Sequence, residues 1–312
     1  MASLYLLLGI ITVFKKEVIF IIFKELTPDD LSVIKPYFEL NTGNHRPCDF
    51  SVGCLFMWRG FYEAAYAISH GSLILRFRGD EGGVCYTYPI GGDNDSALSE
   101  LLSHGEEVCI CLLTDDEVQD IQKRFSCGKP SCNRDWCDYI YNACDIVSLA
   151  GRRFSGQRNH INKFKKLYGE PTFEDITEKN LSAVKDWFVA FYEKNPPRSE
   201  DLDFERSAIY ELLDNYFYYD QPGLALTVNG KIIGVSIGEC VGNTLIVHTE
   251  KADRDYEGAY PTLVQGFAER YCDESIRFIN REEDCGEVGL RASKLSYHPI
   301  LLLDKWDITV KK

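Results

Sequence analysis

The sequence predicts a mixed α/β (α+β) protein built from two similar halves. Three observations carry this. The chain has 312 residues, more than one compact core accommodates and suited to two domains of roughly 150 residues each. Aromatic residues make up 13% of it, with 18 Tyr and 18 Phe, which favours sheet over a plain helical bundle. Two successive stretches also read in one order: helix, β-meander, helix, strand, helix, strand. That is duplication of structure without visible identity of sequence.

The first half covers residues 17–150. Ahead of it, residues 1–16 include MASLYLLLGIITVF, too short to span a bilayer before Lys15 and Lys16 interrupt it. The lysines lie on the wrong side for a signal peptide, so this segment is set aside as an apolar extension. EVIFIIF reads as a buried strand. Thr27 is a good N-cap, Pro28 suits the first helical position, and Asp29 and Asp30 suit the positive end of the helix dipole. CLFMWRGFYEAAYAISHGSLILRFRGDEGGVCYTYPIG reads as several strands joined by Gly-rich turns. NDSALSELLSHG is a short helix, EEVCICLLT a strand, and TDDEVQDIQKRF a helix capped by Thr114. DWCDYIYNACDIVSLAG closes the half as strand.

Residues 151–169 form a connector and residues 170–312 the second half. Here DITEKNLSAVKDWFVAFYEK is an amphipathic helix capped by Thr177, NPPRSEDLDFE an acidic loop, and RSAIYELLDNYFYY a helix. GLALTVNGKIIGVSIGECVGNTLIVHTE holds three strands with a hairpin turn at Asn229-Gly230. AYPTLVQGFAERYC is a helix, IRFIN a strand, the charged stretch after it a helix, and LLLDKWDITV the final strand.

The net charge is −14 with a pI of about 4.9. Such a chain repels nucleic acid and anionic membrane on average, so neither DNA nor membrane contact is expected. The 12 cysteines sit in a long chain with an ordinary core, which points to reduced thiols in a cytoplasm rather than a secreted disulfide scaffold. Cys127, Cys132 and Cys137 recur with four residues between them rather than the two of common zinc knuckles, and no metal is expected.

Three patches stand out. The connector carries three Arg and three Lys and no acid. Arg153, Arg158 and Lys163 are its candidate anion ligands, the alternative being a solvated basic face. HTEKADRDYEGAYPTL places His248, Glu250 and Lys251 at a strand end ahead of a helix N-terminus, a common ligand position in α/β proteins. FINREEDCGEVGLRASKLSYHP places Asn280, Arg281, Glu282 and Asp284 in a strand-end loop. Arg291 and Lys294 follow three apart on one helix face, then Tyr297. Mixed charge beside an apolar strand suggests a pocket.

RNHINKFKK, HTEKA…EGAYPTLVQGFA and FINREEDCGEVGLRASKLSYHP together resemble a bacterial family related to the C-terminal domain of phosphatidylglycerol lysyltransferases. The resemblance runs from about Phe23 to the end. It implies tandem GNAT-like acyltransferase domains, each a mixed, mostly antiparallel sheet flanked by helices, a plan shared with Fem-type peptidoglycan aminoacyltransferases. It further implies acyl or aminoacyl transfer to an amine or hydroxyl, with acyl-CoA or aminoacyl-tRNA as donor. Glu250 or Glu282 would then serve as base and Tyr297 as proton donor. His248, Lys251, Asn280, Arg281, Asp284, Arg291 and Lys294 would contact the substrate, with Arg153, Arg158 and Lys163 contributing from the connector. Acetyltransferases hold the coenzyme A diphosphate on a Q/R-x-x-G-x-G/A loop. Here Asp255-Tyr256-Glu257-Gly258-Ala259-Tyr260 replaces the cation with an acid, which opposes that binding mode. The acidic charge in turn opposes a large tRNA footprint. The rival reading is a non-catalytic tandem-domain protein that binds a small anionic metabolite or a partner protein.

Overall fold

Two sheets organise the chain, and each borrows a strand from the other half of the sequence. The computed structural model describes residues 21–40, 47–79 and 82–311. The apolar extension 1–16 lies outside them. The first eight strands are β1 (Lys24–Glu25), β2 (Ala65–Ser69), β3 (Ser72–Arg78), β4 (Val84–Thr87), β5 (Ile90–Gly91), β6 (Glu107–Leu113), β7 (Ser126–Cys127) and β8 (Ser131–Cys132). β1 to β4 pair antiparallel, and β4 then runs parallel to β6, with Cys85 opposite Cys109.

The next strand, β9 (Asp138–Asn142), leaves for the second sheet. That sheet continues through β10 (Thr172–Asp175), β11 (Gly223–Val228), β12 (Lys231–Val241), β13 (Thr244–Ala252), β14 (Phe278–Asn280) and β15 (Leu301–Leu303). β10 to β13 are antiparallel, β13 and β14 parallel, and β9 covers the far edge of β14. The last strand, β16 (Trp306–Lys311), returns to cover β6 in the first sheet.

Both sheets are therefore mixed, mostly antiparallel, and flanked by helices, as the family resemblance implied. Their membership does not follow the halves 17–150 and 170–312. β9 precedes residue 150 yet sits in the second sheet, and β16 comes from the C-terminus yet completes the first. Each exchanged strand satisfies an edge that a parallel pair would leave open. LLLDKWDITV is accordingly two strands in two sheets rather than one.

The helices are α1 (Leu31–Leu40), α2 (Val52–Trp58), α3 (Asn94–Leu102), α4 (Asp115–Arg124), α5 (Ala143–Ser148), α6 (Ser155–Tyr168), α7 (Leu181–Lys194), α8 (Glu200–Asp214), α9 (Ala259–Tyr271) and α10 (Val288–Leu295). Thr27 and Thr114 form capping boxes with Asp30 and Glu117. Asn229 and Gly230, at φ 51° and 75°, turn β11 into β12. The expected strand at CLFMW is α2 instead. Val52 to Met57 are all buried, and a short apolar run buried on every side has no period to separate helix from strand. The connector is α6, which buries Gln157, Ile161 and Phe164 at helical spacing. Residues Glu200 to Glu205 of the expected acidic loop open α8, capped by Ser199. Thr177 accompanies Asn180, the N-cap of α7, rather than capping it.

Ile74, Ile110, Ile308 and Val310 pack with α3 and α4 residues such as Leu98 and Ile121 on one face of the first sheet. A larger core joins α1, α2, α7 and α8 and takes residues from both halves of the sequence, among them Phe56, Phe188, Leu212 and Val235.

Candidate functional site

The other face of the first sheet is incompletely filled. Phe77, Cys85, Cys109 and Thr309 stand opposite one another across β3, β4, β6 and β16. Three of these four side chains are small, and they line a cavity of ≈ 520 Å³. Its least exposed charged lining residues are Lys305, Glu283 and Asp49.

These residues meet from distant segments. Asp49 lies in the 3-10 turn Cys48–Phe50 before α2, Glu283 in the loop after β14, and Lys305 between β15 and β16. Lys305 Nζ lies 2.7 Å from Asp49, 2.8 Å from Asp138, and 3.4 Å from Glu283. Asp138 opens β9 and is fully buried. It also accepts hydrogen bonds from Cys48 N at 2.7 Å and Asn280 Nδ2 at 2.8 Å. Burial disfavours the charge on Lys305, but Asp138 and Asp49 outweigh it and hold the pKa well above the ordinary lysine value. Burial pushes Asp138 up to about 6, against the pull of Lys305. The Cys48 thiol, 3.4 Å from Asp138 and Glu283, is pushed up by burial and stays protonated. One ammonium thus faces three carboxylates, and the group carries net negative charge.

A second buried network lies beside the first. β13 runs on past its parallel pairing with β14, which ends at Ile246 opposite Asn280. His248 on that free stretch places Nδ1 2.8 Å from Glu282 and Nε2 3.5 Å from Glu239. Glu239 also accepts from the backbone N–H groups of Val52 and Gly53 at 3.1 and 2.7 Å, so α2 of the first half is capped by a carboxylate of the second sheet. A Cβ on Gly53 would come within 2.2 Å of His248 Nε2, so glycine is required there. Burial opposes the charge on His248, but Glu239 and Glu282 outweigh it and raise its pKa to about 9. Burial pushes Glu282 up to about 7 despite His248.

The residues singled out in the sequence fall into four groups, with Lys251 standing apart. His248, Glu282 and Asn280 belong to the buried networks just described. Arg281 pairs with Glu250 at 2.8 Å and lies over the ring of Tyr297 at 4.9 Å, so Glu250, Arg281 and Tyr297 form a closed stack. Arg291 grips buried Asp284 through two nitrogens, at 2.9 and 2.6 Å, and reaches Asp135 at 2.5 Å. Lys294 is buried and donates to the carbonyl oxygens of Arg281 and Glu283. These two cations fasten the 281–285 loop to α10. The connector cations are spent locally: Arg153 on Asp145 at 2.8 Å, Arg158 on the carbonyls of Leu149 and Gly151, Lys163 on Glu257 at 2.5 Å. Lys251 pairs with Glu205 of α8 at 2.8 Å. None of these thirteen residues lines the cavity.

The N-terminus of α9, where an acetyltransferase would hold a diphosphate, is covered by α6. A Cβ on Gly258 would lie 2.3 Å from His160 O, and Tyr168 Oη accepts from Glu257 N at 3.3 Å. Asp255 and Glu257 are paired with Lys194 and Lys163.

Sequence reading missed Cys48, Asp49, Asp138, Glu239, Glu283 and Lys305. Two signals were present: Lys305 is a lone cation inside apolar strand text, and Asp138 a lone acid opening an apolar strand. Neither has a neighbour in sequence that explains it, because Cys48 and Lys305 are 257 positions apart.

Two mixed sheets of one topology, joined by exchanged strands, define a tandem GNAT-like protein. Comparison with known proteins makes this specific. A profile of the family described as "Phosphatidylglycerol lysyltransferase, C-terminal" matches residues 41–308, and the chain belongs to that family. A crystal structure of a conserved protein of unknown function from Bacteroides thetaiotaomicron is 31% identical, with a TM-score of 0.85, over 93% of this chain and 100% of that one. The structure of L-PGS from Bacillus licheniformis is similar in fold, with a TM-score of 0.58 and 12% identity over 93% of each chain. FemX is similar in the same way, at 0.57 and 10% identity over 92% of this chain and 96% of that one. An uncharacterized protein of Mycoplasmoides gallisepticum is 23% identical over 190 residues, and the match spans 55% of this chain and 56% of that curated relative. Among the described residues, no helix is long and apolar enough to cross a membrane.

Proposed function

We propose that the protein is a cytoplasmic aminoacyltransferase whose active site is the cavity over the first sheet. The observation that carries this is Lys305, a buried cation set among Asp49, Asp138 and Glu283 at the cavity's charged end. The excess carboxylate suits the ammonium group of an aminoacyl donor, and the single lysine suits its carbonyl oxygen. With the donor ammonium against Asp49 and Glu283, an acceptor amine or hydroxyl attacks the ester carbon. Lys305 stabilises the oxyanion, the ester C–O bond breaks, and Asp49 passes the acceptor's proton to the departing oxygen. Glu250, Glu282 and Tyr297, the bases and acid expected from sequence, are held in closed pairs and act as supports.

Aminoacyl esters are favoured over acyl-CoA because α6 covers the helix end a diphosphate would need, and acids flank it. The family description and the fold likeness to L-PGS and FemX support the same reading. An anionic metabolite as sole occupant fits the carboxylate-rich end poorly.

The test is a transfer assay with radiolabelled aminoacyl-tRNAs, and with acetyl-CoA, offered to amine and hydroxyl acceptors. Transfer from an aminoacyl-tRNA, falling by roughly a hundredfold or more in Lys305→Met, is the expected result. Transfer from acetyl-CoA alone, or an undiminished rate in Lys305→Met, overturns the reading.

A further inference from the structure

At the rim of the cavity the edge strand β8 passes through one 3-10 turn (Arg134–Trp136) into β9. Cys132 and Cys137 flank that turn. Their Sγ atoms are 3.9 Å apart. Asp304 Oδ1 lies 3.5 Å from Cys132 Sγ and 3.2 Å from Cys137 Sγ. Around a tetrahedral zinc ion, Zn–S bonds near 2.3 Å and Zn–O bonds near 2.0 Å place two sulfurs about 3.8 Å apart and a sulfur and an oxygen about 3.5 Å apart. The three side chains stand within about 0.3 Å of those separations. A disulfide would require the sulfurs to close to about 2.0 Å. The four-residue spacing between the cysteines lies within the range of zinc-binding loops.

We propose that Cys132, Cys137 and Asp304 bind one Zn²⁺ ion through two thiolates and a carboxylate, leaving the fourth position to water. On binding, two Sγ–H bonds break, two Zn–S bonds form, and two protons leave to solvent. The site then carries a net charge of −1. Thiolate ligands select zinc over calcium or magnesium. Each thiol must lose its proton to bind the ion, so affinity falls as pH is lowered. The similar group of Cys48, Asp138 and Glu283 differs in one respect: the Lys305 ammonium already occupies it.

The location gives the ion a role. Ser131, Asn133 and Trp136 of the same loop line the cavity, and Asp304 precedes Lys305 in the chain. Zinc ties this wall to the segment that carries Lys305. The inference stands on its own geometry and holds whether or not the cavity transfers an aminoacyl group.

The experiment uses the full chain, stripped with a chelator under reducing conditions and titrated with Zn²⁺ and Co²⁺. One zinc per chain should survive gel filtration, with about two protons released per ion. The Co²⁺ form should show thiolate-to-metal charge transfer and the intense bands of a tetrahedral ion. Cys132→Ser and Cys137→Ser should each weaken binding by about a hundredfold or more, and Asp304→Asn by about tenfold, with Cys272→Ser unchanged. Zinc should also shield Cys132 and Cys137 of the unaltered protein from alkylation, a readout that needs no variant. Failure to retain zinc, equal retention by the double cysteine variant, an octahedral cobalt spectrum, or alkylation indifferent to zinc would each overturn the proposal.

Discussion

The two sheets share one plan and differ in what fills the space beside their parallel strands. In each, four antiparallel strands lead to a parallel pair, and an exchanged strand covers the last edge. In the second sheet that region is closed by matched charges: Glu250 with Arg281 over Tyr297, and His248 between Glu282 and Glu239. In the first sheet a row of small side chains leaves a cavity, and its charged end is supplied by the second half through Glu283 and Lys305. The comparison teaches that two sheets of one plan can be filled differently: charge pairs close the second beside its parallel strands, and the first keeps a cavity there.

The comparison can be broken most forcefully at Lys305. Lys305→Met leaves Asp138 buried without its cation, and breaking such a pair costs about 3–5 kcal/mol. Urea denaturation should show that loss together with the loss of transfer, and an unchanged midpoint would remove Lys305 from the centre of the account. Gly53→Ala comes next. Its Cβ would collide with His248 at 2.2 Å and Gln221 at 2.8 Å, and such overpacking costs about 1–3 kcal/mol. A variant of ordinary stability would show that α2 is free to move off the second sheet.

A pH profile sharpens the contrast further. The pKa of His248 is raised to about 9 in the folded chain, above its unfolded value of about 6.5. Its stabilisation is therefore fully present below about pH 6.5 and is lost as pH rises toward 9. Glu282, raised to about 7, adds a decline that ends near that value. His248→Gln should flatten the stability curve between pH 7 and 9, and an unaltered slope there would contradict the ion-pair description. Smaller effects are expected at two further positions. Cys109→Phe fills the cavity of the first sheet. It should abolish ligand binding while changing stability by no more than about 1 kcal/mol, as read by calorimetry. Arg291→Ala should lower the melting temperature yet leave transfer within about twofold of the unaltered rate, because Arg291 faces Asp284 and Asp135 rather than the cavity. A large loss of ligand affinity would restore it as an anion ligand.

Local signals in the sequence held at three positions and failed at Thr177, where Asn180 is the N-cap instead. Thr27, Thr114 and the Asn229-Gly230 turn act as their side chains and backbone preferences dictate. The charged stretch after β14 was visible too, although its residues divide: Arg291 and Lys294 clasp the loop, while Glu282 and Glu283 enter the buried networks. What stayed hidden depends on the strand exchange. Nothing within a few residues of Asp49, Asp138 or Lys305 indicates that β9 and β16 change sheets and bring them together. CLFMW failed for a different reason, since burial on all sides erases the period that separates helix from strand.

The central claim is that ligand binds against the first sheet and not in the splay of the second. A crystal structure with a non-hydrolysable, amide-linked aminoacyl adenosine tests it most directly. The account predicts the analogue inside the cavity, its ammonium bonded to Asp49 or Glu283 and its carbonyl oxygen facing Lys305. An analogue lodged beside Glu250 and Arg281, with the cavity left empty, would contradict it.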